Sequence, residues 1–393
     1  MVVDNINNIV VIGAGLMGHN IAQIALMTGY DVTLVDIKEE FIKNGVAKIK
    51  EGIKKLEIKG ILGEDMIADD ILGRLKETLD LKSAVKDADF VIEAVVERMD
   101  IKKKVFKTCD NNTPDHCILA TNTSTMSITE IAKATNREDK IIGMHFFNPP
   151  ILMRLIEIIA GEKSSKVAME IGVKVGQSLP CLRGERFVPK VLKDRPGFIV
   201  NRVNAPVSIY LSYIIDLAYE KGIPWEQLDA DTEGKMPMPP LVLADYVGLD
   251  TSYHGANYYA EKLSPDFKPG KVITKMVKEG KLGRKTGQGY YDWSKGRPKP
   301  DMSKKAGLLD LELVTAIRLN EGCRLIEEGV VTGWKVIDDA NMAGRNTPGP
   351  FGIVKGNWEI YVKKLEDFVE KTGKEYLRPC ELLRSGKFID MKE

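Results

Sequence analysis

Short apolar runs alternate with amphipathic stretches through the first half of the chain, and the second half changes to helical periodicity alone. Ile9-Val10-Val11-Ile12 is a β-branched run that reads as a buried parallel strand. Val32-Thr33-Leu34-Val35, Asp89-Phe90-Val91-Ile92 and Ile118-Leu119-Ala120-Thr121 read the same way. Lys140-Ile141-Ile142-Gly143 is a short buried strand, and Leu155-Ile156-Glu157-Ile158-Ile159 is an apolar strand carrying one carboxylate. Between these runs, Ile42, Val46, Ile49, Ile53 and Leu56 recur at steps of four and three, the stripe of an amphipathic helix. Beyond Asn201, residues 206–222 are rich in Ile, Leu, Tyr and Ala and end at Gly222-Ile223-Pro224, a helix stop. Helical segments over 225–234 and 241–249 follow. Strands interleaved with helices and then helices alone predict an α/β fold, a doubly wound sheet followed by an all-α C-terminal domain.

The first strand runs directly into Gly13, Ala14, Gly15, Leu16, Met17 and Gly18, and a helical pattern follows. This is GxGxxG with a strand before it and a helix after it, the Rossmann-type context that gives the pattern meaning. Gly13 allows the tight turn, Gly15 lets the backbone approach a pyrophosphate, and Gly18 lets helix and strand pack closely. The N–H groups at the helix start then face the phosphates. The next strand ends at Asp36, about 20 residues on, where a carboxylate accepts from ribose hydroxyls and repels a 2′-phosphate. NAD is therefore expected over NADP, although Lys38 lies close enough to leave some tolerance open.

Several groups keep two readings. The face opposite the stripe of 41–60 is basic, with Lys43, Lys50 and Lys54, and Lys55 and Lys59 near the helix end. It is either a solvated face or a landing strip for an anionic, nucleotide-tailed thioester. Glu93 and Glu97 either face the cofactor or start the next helix. In 122–130, capping accounts for any hydroxyl, and Ser127 with Glu130 fits a capping box. Asn122 and Ser124 remain at a strand end, placed to meet a ligand.

Met144-His145-Phe146-Phe147-Asn148-Pro149-Pro150 presents a histidine where a strand ends, because the prolines force a turn. A lone histidine is more often an ordinary half-buried one. Here Ser124 and Glu157 lie on either side in sequence, so a base, an orienting carboxylate and a hydroxyl converge if the fold joins them.

The totals change little. A chain of 393 residues implies two or three domains. Net charge of +1 gives no reason to expect nucleic acid or a membrane surface as partner. No apolar run is long enough for a bilayer, and the N-terminus lacks the pattern of a signal peptide. The five cysteines, Cys109, Cys117, Cys181, Cys323 and Cys380, show neither CxxC nor ligand spacing. Reduced thiols, a cytoplasmic location and no metal are expected.

Taken together, these pieces resemble the 3-hydroxyacyl-CoA dehydrogenase family, NAD enzymes of fatty-acid and related CoA-ester metabolism. The resemblance rests on the glycine motif, Asp36, Glu93-Ala94-Val95-Val96-Glu97, Asn122-Thr123-Ser124, His145-Phe146-Phe147-Asn148-Pro149 and Glu157. It continues through Pro196-Gly197-Phe198-Ile199-Val200-Asn201-Arg202, Ala244-Asp245-Tyr246-Val247-Gly248-Leu249-Asp250 and 283–291. It implies that His145 is the catalytic base, Glu157 the carboxylate holding its imidazole, Ser124 the hydroxyl bonding the substrate oxygen, and Asn201 a polar anchor at the thioester. It also implies cofactor contacts at Glu97, Lys102, Asn122 and Lys285, and places Lys59 near a position that meets CoA. An unperturbed imidazole titrates near about pH 6.5, so a neutral base is available at physiological pH. Residues 182–190 depart from the family pattern as an insert, expected either to lengthen a hairpin or to add contacts over the substrate.

The implied activity is reversible oxidation of (S)-3-hydroxyacyl-CoA, with a short chain such as 3-hydroxybutyryl-CoA favoured. The alternatives are a dehydrogenase of a free hydroxy acid such as gulonate, and a non-catalytic NAD-binding structural or sensing protein. The expected domains are 1–192 for the cofactor, 193–295 for the helical domain, and 306–393 as a second helical repeat. The linker between the last two lies in 295–305, with Pro298 and Pro300. In the repeat, Leu319-Asn320 echoes Val203-Asn204, Ile337-Asp338-Asp339 echoes 228–231, and 346–351 echoes 236–241. Relatives with one helical unit often dimerise through it, so a tandem copy makes a monomer, or a homodimer through another face, the expectation.

Overall fold

The computed structural model describes residues 3–63, 66–236, 238–354 and 356–393. Pro237, within the echoed stretch 236–241, lies outside the described residues. The chain forms two compact units: residues up to Val200 with Glu328–Gly349 and Glu393, and Asn201–Glu327 with Pro350–Lys392.

The first unit is built on eight strands: β1 (Asn8–Ile12), β2 (Asp31–Val35), β3 (Leu75–Thr78), β4 (Phe90–Glu93), β5 (Ile118–Thr121), β6 (Ile141–Phe146), β7 (Ile156–Ala160) and β8 (Lys190–Val191). Their order is β3-β2-β1-β4-β5-β6-β7-β8. Neighbours are parallel except β6 and β7, which pair antiparallel. The order reverses at β1, so a crevice opens beyond its carboxyl end, where the glycine motif lies. The β-branched runs are buried on both faces, as parallel strands covered by helices must be.

Two helices flank the motif, α1 (Leu16–Thr28) and α2 (Glu39–Ile58). The stripe Ile42, Val46, Ile49, Ile53 and Leu56 is buried along α2, and Lys43, Lys50, Lys54 and Lys55 face outward. Gly45 lets α2 cross tightly over the loop: a Cβ there would lie 2.9 Å from the Ala14 carbonyl oxygen.

Two expectations need correction here. Strand β6 continues to Phe146, so His145 is inside the strand, not beyond its end. Pairing with β7 extends the ladder, since Phe146 opposes Ile156. The insert does not lengthen a hairpin. It supplies a parallel edge: the Ile156 N–H donates to the Phe187 carbonyl at 3.0 Å, and the Phe187 N–H to the Arg154 carbonyl at 3.0 Å. This satisfies backbone groups that β7 would otherwise leave unpaired. The half-buried Arg186 guanidinium ties the insert down by donating to the carbonyls of Leu179, Met153 and Pro180.

The region expected as one second helical repeat, 306–393, is shared between the units. Glu328–Gly349 belongs with the sheet, and the flanking helices belong with the second unit. Its attachment is direct: the Leu192 N–H donates to the Val330 carbonyl at 2.8 Å, and the Arg154 N–H to the Ala343 carbonyl at 3.1 Å.

The second unit is helical. Its main helices are Val207–Glu220, Pro240–Val247, Leu249–Lys262, Lys271–Lys278, Leu311–Glu327 and Trp358–Thr372. The segment expected at 241–249 breaks at Gly248, whose φ of 110° lies in the left-handed region. Buried Asp245 accepts from the N–H groups of Tyr290 and Tyr291 and from the Trp293 indole, joining two motifs far apart in sequence. Asp229 accepts from the Leu241 and Val242 N–H groups, capping the helix that follows. Asp338, its echo, sits against Gly349, where a Cβ would lie 1.9 Å from Asp338 Oδ1. Among the described residues, no helix is long and apolar enough to cross a membrane.

Candidate active site

The loop after β1 fits a dinucleotide pyrophosphate. Gly13 has φ of 103°, and a Cβ there would meet the Ala94 carbonyl oxygen at 2.6 Å. Gly18 packs so closely on Gly13 that a Cβ would lie 1.6 Å from its carbonyl oxygen. Gly15 is different, since a Cβ there would meet nothing within 4 Å. Its bare backbone, at the uncapped start of α1, faces open space where a phosphate can approach. Asp36 closes the other side: Oδ2 accepts from the Ala14 N–H at 2.7 Å and Oδ1 from the Ile37 N–H at 2.6 Å. Both line a pocket of about 460 Å³ that also includes Ala94 and Val95.

Beneath this loop lies a cluster whose parts sequence reading could name but not assign. Glu93 ends β4 opposite Thr121 and is fully buried. Lys102 is 1% exposed and donates to both Glu93 oxygens at 2.8 and 3.1 Å, while Thr121 Oγ1 donates at 2.7 Å. Glu97 Oε2 lies 3.2 Å from the same ammonium. Such a pair is tolerable in a core because its remaining lone pairs are met by further donors. Lys102, expected at the cofactor, therefore has its charge committed to two carboxylates. Glu97 passes the anchoring on: Oε1 accepts from Thr123 Oγ1 and from the Ser124 N–H at 2.9 Å. Burial pushes the Glu97 carboxyl up, but Lys102, the Thr123 hydroxyl and the Ser124 N–H outweigh it and hold the group below the usual carboxylate range. The backbone at Ser124 is thus positioned by a charged network.

His145 and Glu157 are directly opposed in the β6–β7 ladder. Opposed residues project to the same face, so register alone brings the two side chains together. His145 Nδ1 lies 2.7 Å from Glu157 Oε2, with the residues 5% and 0% exposed. The second carboxylate oxygen, Oε1, accepts from the N–H groups of Ile199 and Val200 at 3.1 and 3.0 Å. Left-handed backbone at Gly197 (φ 83°) and Phe198 (φ 55°) makes the turn that aims these two donors. The imidazole is also walled by Phe147 and Phe198, with ring centroids at 4.6 and 5.6 Å. Asn122 Oδ1 accepts from the Phe146 N–H at 2.9 Å, tying the end of β5 to the strand that carries the histidine.

The remaining expected site residues lie elsewhere in the chain's architecture. Asn201 is in the short helix Val200–Asn204, at the start of the second unit. Lys285, also in that unit, donates to Asp250 at 2.8 and 3.0 Å. Lys59 is exposed just after α2. The roles of Glu93, Phe147 and Phe198 were missed in the sequence. A charged residue at the end of an apolar run was the one available signal, and it marked Glu93.

Known proteins resemble this chain along much of its length. Residues 8–180 match the family model for the 3-hydroxyacyl-CoA dehydrogenase NAD binding domain, and 197–293 match that for its C-terminal domain. The mitochondrial hydroxyacyl-coenzyme A dehydrogenase of Sus scrofa is 38% identical over 298 residues, covering 73% of this chain and 91% of that one. A probable 3-hydroxybutyryl-CoA dehydrogenase of Deinococcus radiodurans is 37% identical, covering 72% and 99%. The crystal structure of 3-hydroxybutyryl-CoA dehydrogenase from Escherichia coli K12 superposes with a TM-score of 0.84 at 25% identity, covering 98% and 99%. The glycine cradle, the buried dyad and these similarities agree: the chain belongs to the 3-hydroxyacyl-CoA dehydrogenase family of NAD-dependent enzymes.

Proposed function

We propose that this protein oxidises the 3-hydroxyl of a short (S)-3-hydroxyacyl-CoA, such as 3-hydroxybutyryl-CoA, to the 3-ketoacyl-CoA, and catalyses the reverse. The observation that carries the reading is the 2.7 Å contact between His145 Nδ1 and a carboxylate whose other oxygen is already committed. A carboxylate only accepts, so Nδ1 carries the imidazole proton and Nε2 keeps its lone pair. Nε2 takes the proton of the substrate hydroxyl as the carbinol carbon gives up its hydrogen with the bonding pair. Bound NAD supplies the acceptor for that hydride. Glu157 stabilises the imidazolium as it forms, on the logic of the serine protease triad with a substrate alcohol in the serine's place. Ser124, anchored through Glu97, holds the substrate oxygen, and Asn201 anchors the thioester end. In the reverse direction, His145 as imidazolium protonates the alkoxide formed from the ketone.

The exposed basic face of α2 is where this reading seats the nucleotide tail of the carrier, a contact that a free hydroxy acid would not use. The test is NADH oxidation with acetoacetyl-CoA, free acetoacetate and longer 3-ketoacyl-CoAs. Acetoacetyl-CoA is expected to exceed free acetoacetate in kcat/KM by more than about tenfold, about 1.4 kcal/mol of binding spent by the tail. Equal rates with the free acid would favour the alternative, and no turnover of any would leave a non-catalytic binder.

A further inference from the structure

We infer that Glu328–Gly349 is a working part of the catalytic unit, and that Gly344 is a positioning residue for His145, acting through Phe147. The segment lies far along the chain from the sheet, between helices of the other unit, yet it packs with the sheet. It is held at both ends. Near its start, the Leu192 N–H donates to the Val330 carbonyl, and Lys193 Nζ donates to the Glu328 carbonyl. Near its end, the helix Trp334–Arg345 presents the Ala343 carbonyl to the Arg154 N–H at 3.1 Å.

Gly344 follows immediately, and its neighbours are specific. A Cβ there would lie 2.7 Å from Leu155 Cδ2, 3.3 Å from Leu155 Cβ and 3.4 Å from Phe147 Cδ1. These are not arbitrary wall residues. Phe147 is two positions after His145, and Leu155 is two before Glu157. Side chains two apart on an extended strand share a face. Phe147 and Leu155 are the two positions just beyond the last pair of the β6–β7 ladder, Phe146 with Ile156. Gly344 therefore packs against both residues that flank the end of the ladder next to the dyad.

The Phe147 ring is in reach of both Gly344 and the imidazole: its Cδ1 would lie 3.4 Å from a Cβ at Gly344, and its centroid is 4.6 Å from that of the imidazole. Leu155 is fully buried, so any side chain at 344 has to move Leu155, Phe147 or the helix. Glycine weakens a helix interior, and here it leaves room for the ring that sets the imidazole's position. The C-terminal segment thus seats the catalytic histidine from behind, without touching substrate or cofactor.

The inference rests on His145 and Glu157 being the reacting pair, so His145→Gln is assayed alongside. Gly344→Val in the full-length protein is expected to lower kcat for acetoacetyl-CoA reduction by about tenfold and to displace the pH profile of kcat. NADH affinity, read by fluorescence titration, is expected to stay within twofold, because the glycine cradle is on β1. Adding Leu155→Ala is expected to restore most of kcat by making room for the new side chain. Gly344→Ala tests the same claim if the valine variant does not fold, with a loss of about threefold. Either soluble variant with the wild-type kcat and pH profile, beside an inactive His145→Gln, would overturn this inference alone. Loss of NADH affinity in step with kcat, with no rescue by Leu155→Ala, would also overturn it, because it would mean general damage to the fold.

Discussion

Replacing His145 with glutamine is expected to lower kcat by about 10³-fold, within the range of about 10² to 10⁴ contributed by a positioned general base. Glutamine keeps a polar group of similar length in the same strand but offers no basic nitrogen at neutral pH. The strand position itself should survive, because β6 is held by β5 on one side and β7 on the other. Glu157 keeps its two backbone donors from Ile199 and Val200, so the variant leaves no stranded buried charge to unfold the site. NADH affinity should change little, since Gly13, Gly15, Gly18 and Asp36 are untouched. Steady-state kinetics with acetoacetyl-CoA and an NADH titration check both halves. A variant that keeps the wild-type kcat would remove His145 from the chemistry.

Glu157→Gln is the second large effect, and it comes from a forced tautomer. The two oxygens of Glu157 are not equivalent: Oε1 accepts from the Ile199 and Val200 N–H groups, and Oε2 faces His145 Nδ1. In glutamine, the carbonyl oxygen has to take the first place, because an amide NH₂ cannot accept from two backbone donors. The NH₂ then points at Nδ1, which becomes the acceptor and sends the imidazole proton to Nε2. The nitrogen meant to receive the substrate proton is blocked. A loss of kcat of about 10² to 10⁴ is expected, with the fold kept, the same kind of penalty that an amide causes behind a triad histidine. An effect on KM alone would argue that Glu157 does not orient the base. Combining both substitutions should cost little more than His145→Gln alone, because the two side chains act as a unit.

What could be read from the chain beforehand was mostly what is local. The glycine motif and its strand–helix context announced the cradle, and the structure returns it atom by atom, from the positive φ at Gly13 to the open side of Gly15. The stripe on α2 was visible because five residues at helical spacing share one face. The resemblance named His145 and Glu157, but their residue types did not show how they meet. That follows from the antiparallel register of β6 and β7, which pairs them directly. Nor could spacing show that Glu157 is shared with a left-handed turn at Gly197 and Phe198, because that contact spans about forty positions of sequence.

Two misreadings have the same origin. Lys140-Ile141-Ile142-Gly143 alone reads as the strand because the prolines at 149 and 150 signal a turn soon after it, yet pairing with β7 carries the ladder on to Phe146, past Gly143, the last residue that β5 pairs. The C-terminal third reads as one repeat because of local echoes such as Asp338 for Asp229, whereas its contacts divide it between the two units. Local echoes do not say which core a helix joins. For Trp334–Arg345 that is decided by Leu155 and Phe147, almost two hundred positions earlier.

The account turns on where the imidazole proton sits, and nitrogen NMR of ¹⁵N-histidine-labelled protein reads this directly. The chain has four histidines, and the signals of His145 are the ones missing in the His145→Gln spectrum. At a pH where His145 is neutral, Nδ1 is expected to carry the proton and show a strong hydrogen bond, with Nε2 bare. A neutral imidazole protonated at Nε2, with Nδ1 bare, would contradict the account, because the nitrogen assigned to accept the substrate's proton would already hold one.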